Sequence, residues 1–217
     1  MKQMAVFASG SGSNFESLVK FWQDSAEAAV RLLICDQPGA YCLQRAESLG
    51  IPSFVGQPRQ HGGKVAYEAW ILQILQEQQI DFVVLAGYMR LVGPQLLAAY
   101  PERIVNIHPA LLPSFPGKHA VEQALASGVQ VSGVTIHVVD AGMDTGPILY
   151  QEAVPVSSSD GPADLQARIA RVEHRAYPRV VAAYLAGDVV LEGRRAIWQP
   201  EALGCVQEGR KEHAPCS

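Results

Sequence analysis

The sequence predicts an α/β fold: an open, mainly parallel twisted sheet with helices on both faces and an antiparallel edge. Two observations carry that expectation. Short apolar runs alternate with helix-period segments through the first part of the chain, the pattern of βαβ units around a parallel sheet. Further on, two longer apolar runs flank a turn-rich loop, as antiparallel edge strands do. With 217 residues, 48% of them hydrophobic and 18% charged, the chain can bury a sizeable core in one domain.

Met4–Ala8 is a short apolar run that ends in the glycine-serine loop Ser9–Ser13. Asn14 opens a helix that sets Phe15, Leu18, Val19 and Trp22 at i, i+3, i+4, i+7 spacing. Val30–Cys35 reads as a buried strand, followed by a helix over Ala40–Leu49 and a short strand, Ile51–Val55. An amphipathic helix over Gly63–Gln78 is expected to bury Ala66, Trp70, Ile74 and Leu75. Phe82–Ala86, Ile104–Ile107 and Val131–Val139 are the next strands, joined by right-handed crossovers. Ser132–Asp140 and Ile148–Val156 are expected to pair as the antiparallel edge. Asp160 or Asp164 caps a helix that runs to Ala186, with Pro178 kinking or interrupting it. Two short strand-like pieces follow Gly187, Val189–Leu191 and Ala196–Trp198. From Pro200 the chain is polar and aperiodic, so residues 1–199 are expected to form one domain and 200–217 a loosely ordered tail.

Composition excludes several classes. The net charge of −4 and pI near 5.9 argue against nucleic acid as the main partner, because a basic face is its usual footprint. The opening MKQMAVFASGSGSN has too short an apolar run for a signal peptide, and no stretch approaches the roughly 20 apolar residues that span a bilayer. Cys35, Cys42, Cys205 and Cys216 form no CxxC pair and no metal-ligand spacing. Free thiols in a reducing cytoplasm are the expectation.

Two constellations carry chemistry. Ser9-Gly10-Ser11-Gly12-Ser13-Asn14 lies between the first strand and first helix, where glycines admit a ligand to the backbone and the helix N-terminus offers free N–H groups. It lacks the Lys-Ser/Thr ending of a triphosphate loop. Phe15 also stands where a dinucleotide fingerprint needs its third glycine, so a phosphomonoester suits it best. The alternative is a βα turn that uses glycine and serine for geometry alone. The second constellation is Asn106-Ile-His108-Pro109 with Asp140-Ala-Gly-Met-Asp144-Thr-Gly-Pro147. Asn106 and His108 share a strand face near the C-terminal end, where ligands sit in open α/β sheets. An amide and an imidazole can hold an oxyanion, and a carboxylate can tune the imidazole. Pro109, Pro113 and Pro116 make the following loop a stiff pocket wall. An ion-paired Asp144 is expected to raise the pKa of His108.

The ordered set Gly12-Ser13-Asn14, Leu85-Ala-Gly-Tyr-Met-Arg90, Asn106-Ile-His-Pro-Ala-Leu-Leu-Pro113 and Asp140–Pro147 resembles the folate-dependent formyltransferases over roughly residues 3 to 199. The resemblance is close to the branch whose acceptor is 5'-phosphoribosylglycinamide (glycinamide ribonucleotide), in purine biosynthesis. It implies 10-formyltetrahydrofolate as co-substrate, no metal, catalysis by Asn106, His108 and Asp144, and a monomer or homodimer without nucleic-acid or membrane partners. By the same resemblance Gly12, Ser13 and Asn14 bind the ribonucleotide phosphate and Glu173 the ribose hydroxyls. Lys64, Met89, Arg90, Leu91, Val92 and Asp140 contact folate; Leu85, Leu97, Ile104 and Val139 read equally as walls of its pocket or as core. Without the resemblance Glu173 reads as a solvated helix carboxylate. Lys64 stands where the family carries an arginine, keeping the charge but losing bidentate geometry. Thr135 replaces a frequent serine, and Lys118 an often apolar position near the pocket mouth. Three alternatives stay open: a formyltetrahydrofolate hydrolase, a non-enzymatic phosphate-ligand binding module, and a metal hydrolase built on His108, His137 and Asp144. The hydrolase usually carries an extra N-terminal domain, whereas the first strand here begins almost at Met1.

Overall fold

A computed structural model describes residues 1–208. The chain forms two compact units that divide after Asn106. In the first, β1 (Lys2–Ala8), β2 (Ala28–Cys35), β3 (Ser53–Val55), β4 (Phe82–Leu85) and the start of β5 (Ile104–His108) pair in the order β3-β2-β1-β4-β5, every pair parallel. The connections hold α1 (Ser13–Trp22), α2 (Tyr41–Ser48), α3 (Lys64–Glu77) and α4 (Pro94–Ala99), with a single 3-10 turn at Pro58–Gln60. Met4 to Ala8 are fully buried, as a strand flanked on both edges and covered on both faces must be. The predicted face of α1 is the buried one: Phe15, Leu18, Val19 and Trp22.

α3 departs from expectation. Its buried residues are Tyr67, Glu68, Ile71, Ile74 and Leu75, whereas Ala66 is exposed and Trp70 half-buried. The face has turned because Tyr67 offers more apolar surface than Ala66. Trp70 instead stacks at the rim, with ring centroids 4.6 Å from His61 and 5.7 Å from Tyr67.

The second unit holds α5 (Ala120–Ala126), β6 (Val131–Val138), β7 (Ile148–Pro155), α6 (Pro162–Ala186), β8 (Val189–Glu192), β9 (Arg195–Trp198) and α7 (Pro200–Glu208). β6 and β7 pair antiparallel as expected, β8 and β9 form a hairpin, and β9 meets β7 in parallel at Ile148 and Arg195. Asp164 caps α6 by accepting the Gly161 N–H at 2.9 Å, with Pro162 in the first position. The helix continues through Pro178 instead of stopping there. Tyr177, Pro178, Val180 and Val181 are all buried, and their packing offsets the lost hydrogen bond. Residues 200–208 form α7 against α6, with Val206 buried, where a loose tail was expected. Residues 209–217 lie outside the described part. Cys35 and Cys42 are free and buried; Cys205 is disulfide-bonded, against the expectation of free thiols. The fold class is the expected one, a mixed, mostly parallel sheet with antiparallel edge pairs and helices around it. Among the described residues no helix is long and apolar enough to cross a membrane.

Candidate active site

β5 carries Asn106 and His108 two residues apart, so both side chains project from one face of the strand. His108 is 4% exposed. Its Nε2 lies 2.8 Å from the Phe115 carbonyl, which can only accept, so Nε2 carries a proton. Its Nδ1 faces Asp144 Oδ2 at 3.5 Å. The same Oδ2 accepts the Gly117 N–H at 2.7 Å, while Oδ1 faces His137 Nε2 at 3.6 Å. His137 is buried, with Nδ1 3.0 Å from the Val138 carbonyl. The second unit thus brings His108 and Asp144 together as expected, and with them His137, which the sequence offers only through the metal-hydrolase alternative. Its signal was position: it is the penultimate residue of β6, just before the loop that carries Asp144.

The electrostatics reverse one expectation. Burial lowers the His108 pKa; the Phe115 carbonyl and Asp144 pull it upward without overcoming that penalty, and His137 adds to the lowering. Burial works against Asp144 ionising as well. Hydrogen bonds with His137 and the Gly117 N–H, and the field of His108, together hold its carboxyl below the usual range.

The loops explain how the carboxylate is presented. Asp144 has φ 54°, a left-handed conformation more common for Asp and Asn than for most residues. Asp140 Oδ1 accepts the Gly142 N–H at 3.0 Å and the Thr145 hydroxyl at 2.7 Å, so this predicted folate contact folds its own loop. On β6, the Thr135 hydroxyl donates to Ala110 O and accepts from Leu112 N–H and Gln151 Nε2, which pins the chain after β5. The hydroxyl shared by serine and threonine makes those bonds. Glu173 is buried on α6 one turn before Tyr177, not a solvated carboxylate. Lys118 is exposed.

In the first unit Gly12 precedes α1 with φ 73°, and its backbone packs on Cys42 so closely that a side chain would collide there. Ser13 and Asn14 begin the helix, leaving its first N–H groups at the loop. Of the predicted folate set, Met89 and Leu91 are exposed and Val92 is buried. Arg90 is committed to Asp36, Nε to Oδ2 at 2.6 Å, and Lys64 lies 3.7 Å from Glu68. A cavity of about 460 Å³ is lined by Gln37, Gln57, Pro58, Arg59 and Arg90. Among the described residues no group of three His, Cys, Asp or Glu side chains is arranged to hold a metal ion.

An imidazole and a half-buried carboxylate thus meet at the end of β5, and residues 2–181 match the family described as formyl transferase. The chain belongs to that family. A phosphoribosylglycinamide formyltransferase of Bacillus subtilis (strain 168) is 47% identical to it over 182 residues, 83% of this chain and 93% of the relative. Glycinamide ribonucleotide transformylase 1 from Symbiobacterium toebii has a TM-score of 0.88 at 42% identity, covering 92% of this chain and 95% of that one. A formyltetrahydrofolate deformylase from Pseudomonas syringae pv. tomato is also similar, with a TM-score of 0.83 at 28% identity over 91% of this chain and 65% of that one.

Proposed function

We propose that this chain transfers the formyl group of 10-formyltetrahydrofolate to the amine of 5'-phosphoribosylglycinamide in purine biosynthesis. The contact of Asp144 with the His108 ring, two residues from Asn106, is the observation that carries the reading. The acceptor amine attacks the formyl carbon, and the carbonyl oxygen becomes an oxyanion. The Asn106 amide and a His108 N–H donate to it, and Asp144 orients His108. A lowered His108 pKa in the free protein is compatible with this role. Negative charge develops on the oxyanion only as the bond forms, so imidazolium is favoured in the transition state more than in the ground state. For Nε2 to serve, its N–H must turn from the Phe115 carbonyl to the substrate oxygen. The amine proton passes to the departing folate nitrogen through water or His108.

In the same reading Gly12, Ser13 and Asn14 hold the ribonucleotide phosphate, Glu173 the ribose, and Met89–Val92 with Lys64 and Asp140 the folate. Residues 1–199 make up one formyltransferase domain, supported by a family match that runs through both units. The enzyme works in the cytoplasm as a monomer or homodimer, without nucleic acid. The test is formyl release from a 10-formylfolate analogue, followed spectrophotometrically with and without glycinamide ribonucleotide. Turnover that requires the ribonucleotide supports the transferase. Deformylation indifferent to it points to the hydrolase, a reading kept in view by the similarity to the deformylase.

A further inference from the structure

Gly93 directly follows Met89–Val92, the segment that the proposed function assigns to folate, and this stretch is held at three points within its own unit. Met89 N–H donates to Ser9 Oγ at 2.9 Å, and Arg90 Nε donates to Asp36 Oδ2 at 2.6 Å. The third hold is Glu68 of α3. Its carboxylate packs against the backbone of Gly93, where the N–H draws its charge, and sits so close that any side chain at Gly93 would collide with both oxygens. Glu68 is 4% exposed. Burial pushes its carboxyl up, while Lys64, 3.7 Å away, and the Gly93 N–H pull it down.

A buried carboxylate is a poor device for packing α3 against its neighbours, since an apolar side chain of similar volume does as well or better. What an apolar side chain cannot do is attract the Gly93 N–H and so fix the backbone at the end of Met89–Val92. If those backbone groups read the folate ring, their register depends on that contact. We propose that Glu68 is a positioning residue for folate, acting through Gly93, with Lys64 serving to hold the Glu68 charge. The inference rests on the reading of Met89–Val92 as the folate-binding segment.

The test is steady-state kinetics on the full chain with both substrates varied, with thermal unfolding measured alongside. Glu68→Leu keeps the volume and removes the acceptor; the folate KM rises about tenfold, roughly the worth of one buried hydrogen bond, while kcat and the ribonucleotide KM hold. Glu68→Gln keeps an acceptor for Gly93 and stays within about twofold of wild type on the same scale. Glu68→Asp keeps the charge beside Lys64 but draws the acceptor back by one methylene, and it raises the folate KM by about threefold. A wild-type folate KM in both Glu68→Leu and Glu68→Asp overturns the proposal. So does a parallel rise in both KM values, the pattern of a general packing loss. A wild-type protein without ribonucleotide-dependent turnover refutes the proposed function instead, and the two failures are distinct.

Discussion

Asp144→Asn isolates the charge of the carboxylate from its shape. Asparagine tolerates the φ of 54° at this position, and its carbonyl oxygen can still accept the Gly117 N–H. The substitution removes the negative charge 3.5 Å from His108 Nδ1, and at an effective dielectric of about 20 a full ion pair at that distance interacts by about 5 kcal/mol. His108 and Asp144 side chains are 5% and 14% exposed, so solvent screens little of this. The whole interaction is realised only when His108 carries its second proton, which the mechanism places in the transition state. We therefore expect kcat to fall by about 10²–10³, with both KM values little changed. The assay is ribonucleotide-dependent formyl transfer at saturating substrates, beside an NMR titration of His108. The titration should show the wild-type ring below its ordinary value and the variant ring lower still. A variant within threefold of wild-type kcat, or an unmoved His108 titration, refutes the assignment of Asp144 as the group that tunes His108.

Three further outcomes are expected. Gly12→Ala sets a methyl against Cys42 at φ 73° and should cost about 2 kcal/mol of stability and raise the ribonucleotide KM, read by thermal unfolding and kinetics. His137→Phe keeps ring volume but removes the partner of Asp144 Oδ1; kcat should fall about tenfold with KM values held, and unchanged kcat would leave His137 as core alone. Stability should decline as pH falls below 6.5, because His108 prefers the neutral form when folded whereas the unfolded ring takes a proton there. Asp144 adds a second loss at lower pH, since its stabilisation is present above 3.8 and disappears as pH falls through its depressed folded value. Urea unfolding from pH 8 to 5 checks the His108 window, and His108→Gln should flatten it.

What could be read from the sequence followed from local rules. The β1 loop and the buried face of α1 rest on glycine conformation and 3.6-residue spacing, and Asn106 with His108 on strand alternation. What could not be read depended on competition between neighbours. The α3 face turned because a tyrosine outcompetes an alanine for burial, and α6 passes Pro178 because its surroundings hold it. α7 forms in a segment without strong periodicity because α6 offers it a surface. Residues 209–217 fall outside the described part. The sign of the His108 shift required knowing how deeply the ring is buried, which residue spacing does not encode. Nor does spacing reveal a backbone carbonyl such as that of Phe115.

The loop around Asp144 is built so that one carboxylate serves two rings. Gly146 passes so near the Val138 carbonyl that a side chain would collide with it, and the Asp140 turn closes the other side. His108 and His137 each set one nitrogen on a backbone carbonyl, of Phe115 and Val138, and the other toward Asp144. All of these partners accept, yet a neutral imidazole has a single donor. A neutral His108 that donates from Nε2 to Phe115 therefore leaves its Nδ1 lone pair against the Asp144 carboxylate, a cost relieved when that ring takes a proton. With Asp144 ionised and His108 neutral the pair is negative, and uptake of one proton by His108 makes it neutral. Burial resists any net charge, so it opposes a lone imidazolium more than an imidazolium beside a carboxylate. The arrangement thus fits a centre that must hold a proton transiently while the acceptor amine loses one and the folate nitrogen gains one.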